Sequence, residues 1–325
     1  MRVLVTGATS MIGQMTVDLL MARGDDVTTL QRSTSGRGDA EINGSITDPD
    51  VVGEAMVNQD AVIHLAAKVS LVGDWDDFFA VNVEGTSTLL AAARACGVQR
   101  FVYVSSPSVA HSGRSIVGGG ADAADPDAAR GNYARSKAMA ELLALAASSA
   151  DMSVVAIRPH LVIGPGDTQL VGRIVDRAAQ GRLPLIGSGL ALVDTTWVDN
   201  AAEALLAAVD RAPELGGRAF VVSNGEPRTV HELFARITQA VGTEWTPRSV
   251  PTSVAIAGGA LIEKVWDRTS RDDDPPMTAF GAEQLSTAHW FDQRETRAAL
   301  QWSPSVSLAE GFGRLTAHYA EQTST

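Results

Sequence analysis

Apolar positions along this chain alternate between short β-rich runs and longer stretches with helical spacing, and that alternation predicts the fold. Val3, Leu4 and Val5 form an apolar run that breaks at Gly7 into a glycine-spaced turn, after which Ile12, Val17, Leu19 and Leu20 supply a helical face. Residues 27–30 read as a second strand and 40–46 as a short third. Asp48 then caps a helix with Pro49 at its first position, running to about Val57. A fourth strand spans 61–67, and residues 75–95 carry Phe78, Val81, Leu89 and Leu90 at helical spacing, closed by Gly97. Residues 101–106 form a strand that ends in two hydroxyls; 112–132, rich in Gly, Ala and Asp, predict an exposed loop. A helix resumes at Tyr133 and a buried strand follows at 154–159. Repeated strand–helix units of this kind predict an α/β chain with a doubly wound parallel sheet.

Beyond residue 165 the rhythm changes. Helical spacing is visible at 170–180 and 200–209, short strands at 183–186 and 193–197, and a run at 219–222 that is expected to rejoin the main sheet. Residues 229–241 are an amphipathic helix capped by Thr229. The apolar stretch 250–266 is interrupted by Pro251, Gly258, Gly259, Glu263 and Lys264 and falls short of the roughly 18 residues a membrane span needs. A lid or lobe helix is expected there, with interfacial association the lesser option. Residues 271–276 read as a polar break, because a calcium loop needs a glycine and a late glutamate that they lack. The expected organisation is a dinucleotide-binding unit over 1–165, rejoined by about 193–223, and a smaller, mostly helical lobe from 166–192 and 224–325.

Composition narrows the function. A net charge of −12 argues against nucleic acid or an anionic membrane as partner, since phosphate neutralisation needs a basic surface. Cys96 is the single cysteine, which excludes an internal disulfide and a multi-cysteine metal site and fits a reducing cytoplasm. The first strand begins at Arg2, so no secretory signal is expected. Lys68, Lys137 and Lys264 are the three lysines of the chain, so each merits inspection.

The chemistry starts at the first turn, where a helix N-terminus would face a pyrophosphate. In the spacing Gly7-x-x-Ser10-x-x-Gly13, serine replaces the middle glycine that lets a backbone approach phosphate. If Ser10 adopts a left-handed conformation or crowds the phosphate, Ser10→Gly is expected to tighten cofactor binding. After the second strand, a dinucleotide fold that takes NAD places Asp or Glu, whereas this chain has Gln31-Arg32-Ser33, and an arginine suits a 2′-phosphate. NADP(H) is therefore expected over NAD(H). His64 lies inside an apolar strand without ligand-spaced partners and is expected to be structural, so no metal site is predicted. The strongest constellation is Ser106 at a strand end with Tyr133 and Lys137 one helical turn apart. Reducing a ketone requires a proton for oxygen, and a phenol supplies it if a nearby ammonium pulls its pKa from about 10 toward neutrality. Ser106 would orient the carbonyl, with Ser105 the alternative if the strand register slips by one.

At these residues the chain resembles the extended branch of the short-chain dehydrogenase/reductase superfamily. The segments Thr6 to Gly13, Val104-Ser105-Ser106-Pro107-Ser108-Val109 and Asn132-Tyr133-Ala134-Arg135-Ser136-Lys137 are similar to that branch's cofactor turn, serine strand and tyrosine helix. Arg158-Pro159 through Asp167, the segment 193–200 and Phe291-Asp292 with Leu300 to Pro304 extend the likeness over almost the whole chain. The resemblance implies a Rossmann-type fold and an NAD(P)-dependent dehydrogenase or reductase. It implies cofactor contacts at Gly7, Thr9, Ser10, Met11, Ile12, Gly13 and Arg32. Further contacts are implied at Ser45, where the family has aspartate, and at Ile46, Leu65, Ala66, Ala67, Lys68, Tyr133, Lys137 and Pro159. Within the branch the chain is most similar to the 3β-hydroxysteroid dehydrogenase group and to bacterial reductases of long-chain 2-alkyl-3-oxoacids. Leu161 stands where sugar-nucleotide epimerases and dehydratases carry asparagine, which implies an apolar or amphipathic small-molecule substrate. His111, His160, Leu161, Thr195 and Trp197 are the candidate substrate contacts. An epimerase or dehydratase with retained NAD, and a non-catalytic NADP sensor, are the rival readings; the assembly stays open, a homodimer included.

Overall fold

The computed structural model describes residues 1–70, 72–111, 113–269, 275 and 277–323; apart from Pro275, the polar break read at 271–276 lies outside them. The first half alternates strands and helices: β1 (Arg2–Thr6), α1 (Met11–Arg23), β2 (Asp26–Gln31), β3 (Ala40–Asn43), α2 (Pro49–Met56) and β4 (Ala61–His64). A long helix follows in three pieces, α3 (Trp75–Phe78), a π-helical segment (Phe79–Glu84) and α4 (Gly85–Ala95). Then come β5 (Arg100–Val104), β6 (Ile116–Gly119), α5 (Gly131–Ala146), β7 (Ser153–Pro159), β8 (Val162–Ile163) and α6 (Val171–Ala179). The second half holds β9 (Leu185–Ile186), β10 (Leu192–Val193), β11 (Thr196–Trp197), α7 (Val198–Leu215), β12 (Ala219–Val222), β13 (Arg228–Thr229) and α8 (Val230–Ala240). It closes with β14 (Ser249–Val250), α9 (Thr252–Thr269), α10 (Ala279–Ser286), β15 (His289–Phe291), α11 (Arg294–Leu300) and α12 (Leu308–Thr323).

Seven strands form one sheet in the order β12-β7-β5-β4-β1-β2-β3, with every neighbouring pair parallel. Parallel sheets are buried on both faces, and the two cores show it. On one face Val3, Val5, Ile63 and Val102 pack with Leu205, Ala208 and Val209 of α7; on the other Leu4, Val62, Phe101 and Tyr103 pack with Val52, Leu89 and Ala140 of α2, α4 and α5. As the sequence predicts, β12 rejoins this sheet beside β7. Leu300 and Trp302, assigned by chain order to the lobe, are buried in the main core with α7.

Two predicted segments fold differently. Residues 112–132 are not all loop, because β6 pairs in parallel with β15 at the edge of a four-stranded sheet, β13-β10-β15-β6. Such pairing across the chain leaves no periodic signal in four residues. The run 193–197 is not one strand: β10 joins that sheet and β11 pairs with β8 instead, the break falling at Asp194, whose buried carboxylate accepts from the Thr195 and Glu226 N–H groups.

The π-helical segment buries Asn82, whose Oδ1 accepts from Lys68 N at 2.7 Å while its Nδ2 donates to Lys68 O at 3.1 Å and to Ser136 Oγ at 2.9 Å. One amide thus fixes the loop after β4 to the helix that carries Tyr133 and Lys137. No helix among the described residues is long and apolar enough to cross a membrane.

Candidate active site

A cavity of about 780 Å3 opens at the carboxyl ends of β1, β2 and β4, where open α/β sheets bind ligands. Gly7, Thr9, Ser10, Arg32, Ser45, Ile46, Leu65, Ala66, Ala67 and Lys68 line it. Gly7 has φ +76°, and a Cβ there would meet Ala66 N at 2.8 Å, so the turn must be glycine to pass the loop after β4. Gly13 is equally constrained, a Cβ meeting Gly7 O at 2.4 Å. Met11, Ile12 and Gly13 do not line the cavity; the two apolar side chains pack into the cores beneath it, and Gly13 is buried under the turn.

Ser10 is not left-handed. Its φ of −74° and ψ of 155° are those of a helix cap, its Oγ accepting from Gly13 N at 3.1 Å and donating to Gly7 O at 2.9 Å. Ser10→Gly would therefore remove a cap and relieve no backbone strain. His64 is structural, as expected. Thr86 Oγ1 donates to Asn82 O, so it accepts from His64 Nε2–H at 3.0 Å, and His64 Nδ1 accepts from Thr6 Oγ1 at 2.8 Å; Thr6 in turn accepts from Ala66 N. Burial, with a smaller push from the Lys137 ammonium, lowers His64 to about 3 and keeps the ring neutral.

A second cavity, of about 400 Å3, shares Val69 with the first and is lined by Ser106, Ser108, Tyr133 and Pro159 among mostly apolar residues. Pro159, expected at the cofactor, thus faces the second cavity. Ser106 ends the extended backbone after β5 and caps the turn Pro107–Ala110; its Oγ accepts from Ser108 Oγ at 2.9 Å and Ser108 N at 3.3 Å. With both acceptor positions used, the Ser106 proton is directed elsewhere, and Ser106 also bonds to Tyr133. Ser105, the alternative, is buried with its Oγ unpaired and does not line the cavity.

Lys137 is buried, its Nζ donating to Val104 O at 2.6 Å and lying 4.2 Å from the centre of the Tyr103 ring. Burial lowers it to about 7, against the opposing pull of Glu141 one turn later. The expected depression of the phenol by Lys137 is not found: enclosure raises Tyr133, and what lowers it is the hydrogen bond with Ser106. The Lys137 Nζ is instead hydrogen-bonded to the strand carbonyl and stacked over the Tyr103 ring.

Of the predicted substrate contacts, His111, His160 and Leu161 line the second cavity. Thr195 and Trp197 do not; both are about 1 % exposed, and Trp197 sits in the lobe core, where a Cβ on Gly311 of α12 would meet its ring. They follow the strand break at Asp194 inward. Leu161 adopts φ +39°, a left-handed conformation that costs a leucine more than it would an asparagine. Sequence reasoning missed Ser108, Arg173, Arg177, Gln284 and His289, all of which line this cavity. His289 Nε2–H donates to Gln284 O at 2.8 Å, so its Nδ1 accepts from His160 Nε2–H at 2.9 Å. Burial holds His160 well below its usual value and His289 at about 4, so both rings are neutral.

These rings make the fold acid-sensitive. His64, His160 and His289 take up protons near pH 6.5 when unfolded but only far below it when folded. Stability is therefore full above about pH 6.5 and falls by as much as about 1.4 kcal/mol per pH unit for each ring as the pH drops. Asp194, raised to about 6 by burial, offsets part of this below its own pKa. The urea midpoint is expected to be lower at about pH 5 than at about pH 7; equal midpoints would contradict buried neutral rings.

The profile of the NAD dependent epimerase/dehydratase family matches residues 3–223. A 2-alkyl-3-oxoalkanoate reductase of Stenotrophomonas maltophilia is 40% identical, over 98% of this chain and 100% of that protein. A 3β-hydroxysteroid dehydrogenase/Δ5→4-isomerase of Mycobacterium tuberculosis is 30% identical, over 98% of this chain and 90% of its own. Among solved structures, a short-chain dehydrogenase/reductase superfamily protein from Agrobacterium tumefaciens with bound NAD aligns with TM-score 0.78 at 22% identity, covering 100% of this chain and 98% of that one.

Proposed function

This chain belongs to the NAD dependent epimerase/dehydratase family and is an alcohol/ketone oxidoreductase of the extended short-chain type, and on that footing we propose that it is a cytoplasmic, NADP(H)-dependent enzyme acting on a bulky apolar substrate of the 3-oxo steroid or long-chain 3-oxoacid class. The observation that carries the proposal is that Ser106 and Tyr133 stand together on the wall of an apolar cavity adjoining the glycine-turn cavity. The first cavity fits a dinucleotide, since it opens at the carboxyl ends of β1, β2 and β4 and the Ser10 cap that begins α1 lines it. When bound, the nicotinamide supplies or accepts the hydride. In the reducing direction Tyr133 gives its phenol proton to the carbonyl oxygen while the Ser106 hydroxyl donates a hydrogen bond to the same oxygen. Ser108 holds Ser106 in that orientation. Lys137 keeps positive charge beneath the phenolate that results, and Arg32, exposed after β2 at the rim of the first cavity, takes the 2′-phosphate.

Nicotinamide absorbance tests this across steroid alcohols, long-chain 3-hydroxyacids and sugar nucleotides, each with NADP+ and NAD+. Stoichiometric reduction of NADP+ by an apolar alcohol is expected, and Arg32→Ala should raise KM for NADP+ about 10- to 100-fold while sparing NAD+. Conversion of a sugar nucleotide with no net consumption of cofactor would overturn the proposal in favour of an epimerase.

A further inference from the structure

The second cavity is apolar but not neutral. Arg173 and Arg177 line it one turn apart on α6, while no Asp, Glu or Lys is among its described lining residues and burial shifts its histidines His111, His160 and His289 toward their uncharged forms. The helix buries Val171, Ile174 and Ala178 against Val230, Leu233 and Phe234 of α8, which leaves the arginine face turned to the cavity. Like charges at this spacing repel, and an arginine is half-desolvated at such a wall only at a cost. Among the described residues the Arg177 guanidinium makes no hydrogen bond or ion pair, and both burial and the Arg173 charge disfavour its protonated form. A half-buried guanidinium that no described residue neutralises, on a chain of net charge −12, is suited to an anion that arrives with an apolar body.

We propose that Arg177 is the specificity-determining residue of this site and pairs with the carboxylate of the substrate, so that the enzyme selects a long-chain 3-oxo or 3-hydroxy acid over a neutral ketone of equal bulk. The proposal rests on the alcohol/ketone reading of the same cavity. The fork of the guanidinium suits two carboxylate oxygens, and the apolar walls of α8 and α10 accommodate the alkyl chains. Arg177 touches no reacting atom; it sets which molecules are held, and so acts mainly on KM.

The test uses the intact enzyme with a long-chain 2-alkyl-3-hydroxyalkanoate and its methyl ester, read as cofactor reduction; the hydroxy acids, unlike 3-oxo acids, do not decarboxylate. Wild type is expected to prefer the acid in kcat/KM. Arg177→Met should lower kcat/KM for the acid about 10- to 100-fold, chiefly through KM, and leave the ester unchanged. Arg177→Lys should restore part of the loss, since it returns the charge without the fork. Unchanged cofactor affinity in both variants establishes that they are folded. Equal losses on acid and ester, or no loss on either, would overturn the role of Arg177 and leave the oxidoreductase reading standing. If wild type turns over neither compound nor a steroid alcohol, that reading fails and the proposal with it.

Discussion

Replacing Tyr133 by phenylalanine is expected to lower kcat by about 10²- to 10⁴-fold while leaving cofactor affinity unchanged. The substitution removes one hydroxyl from a ring whose position is fixed by α5, so the cavity keeps its shape. What is lost is the proton. Among the described wall residues the other titratable groups are poor substitutes: burial shifts His111, His160 and His289 toward their neutral forms, the last two being bonded to each other and to Gln284 O, and the Ser106 proton has a far weaker acidity than a phenol. The drop should appear in kcat and kcat/KM together, the mark of an interaction made in the transition state. Steady-state rates with a titration of cofactor binding check it, and activity within a few-fold of wild type would remove Tyr133 from the chemistry.

Glu141→Gln is expected to destabilise the fold by about 3–5 kcal/mol, a large part of the roughly 5–15 kcal/mol that holds a domain folded. The Glu141 and Arg158 side chains are each 1 % exposed, joined by a bidentate bridge of 2.9 and 2.5 Å, and Arg158 also donates to Asp122 O at 2.8 Å beside β6. Removing the carboxylate charge leaves a buried guanidinium uncompensated. Glu141→Leu with Arg158→Met removes both charges and should recover most of the loss, because a well-packed apolar pair is often no worse than a buried ion pair. Urea unfolding distinguishes the two. The double variant has a second expected effect: without Glu141, Lys137 falls further below about 7, so the limb of the pH–rate profile that requires its ammonium moves to lower pH. A double variant as unstable as Glu141→Gln would mean that the bridge also serves packing.

The parts of the site legible in the chain were those written in local spacing. The turn between β1 and α1, the Asp48 and Thr229 caps, and the one-turn interval from Tyr133 to Lys137 all follow from residues within a few positions of one another. Ser10 was also readable, since a serine before an apolar helical run is a capping signal, but comparison with a glycine template concealed it. Other features depend on distant partners. Gln284 reaches His111 across 173 positions, and β6 exists only because β15 lies beside it. Arg173 and Arg177 look like ordinary solvated helix residues until α8 and α10 close a cavity over them. Thr195 and Trp197 turn inward because the chain breaks at the buried Asp194, a change of partner sheet that five residues of sequence do not reveal. The charge of Lys137 could not be assigned to the phenol without knowing where its ammonium comes to rest.

The π-helical segment carries a consequence for how this chain can vary. An α-helix turns about 100° per residue, and one surplus residue inside a turn offsets everything before it from everything after. Here that offset sets Asn82 between the Lys68 backbone and Ser136. Shortening residues 79–84 by one would leave a regular helix with its apolar stripe intact, yet it would swing the amide away from one of its two partners. The stretch should therefore accept many exchanges of side chain but no change of length, and relatives that differ from it freely in composition should keep the same count of residues between Trp75 and Gly85.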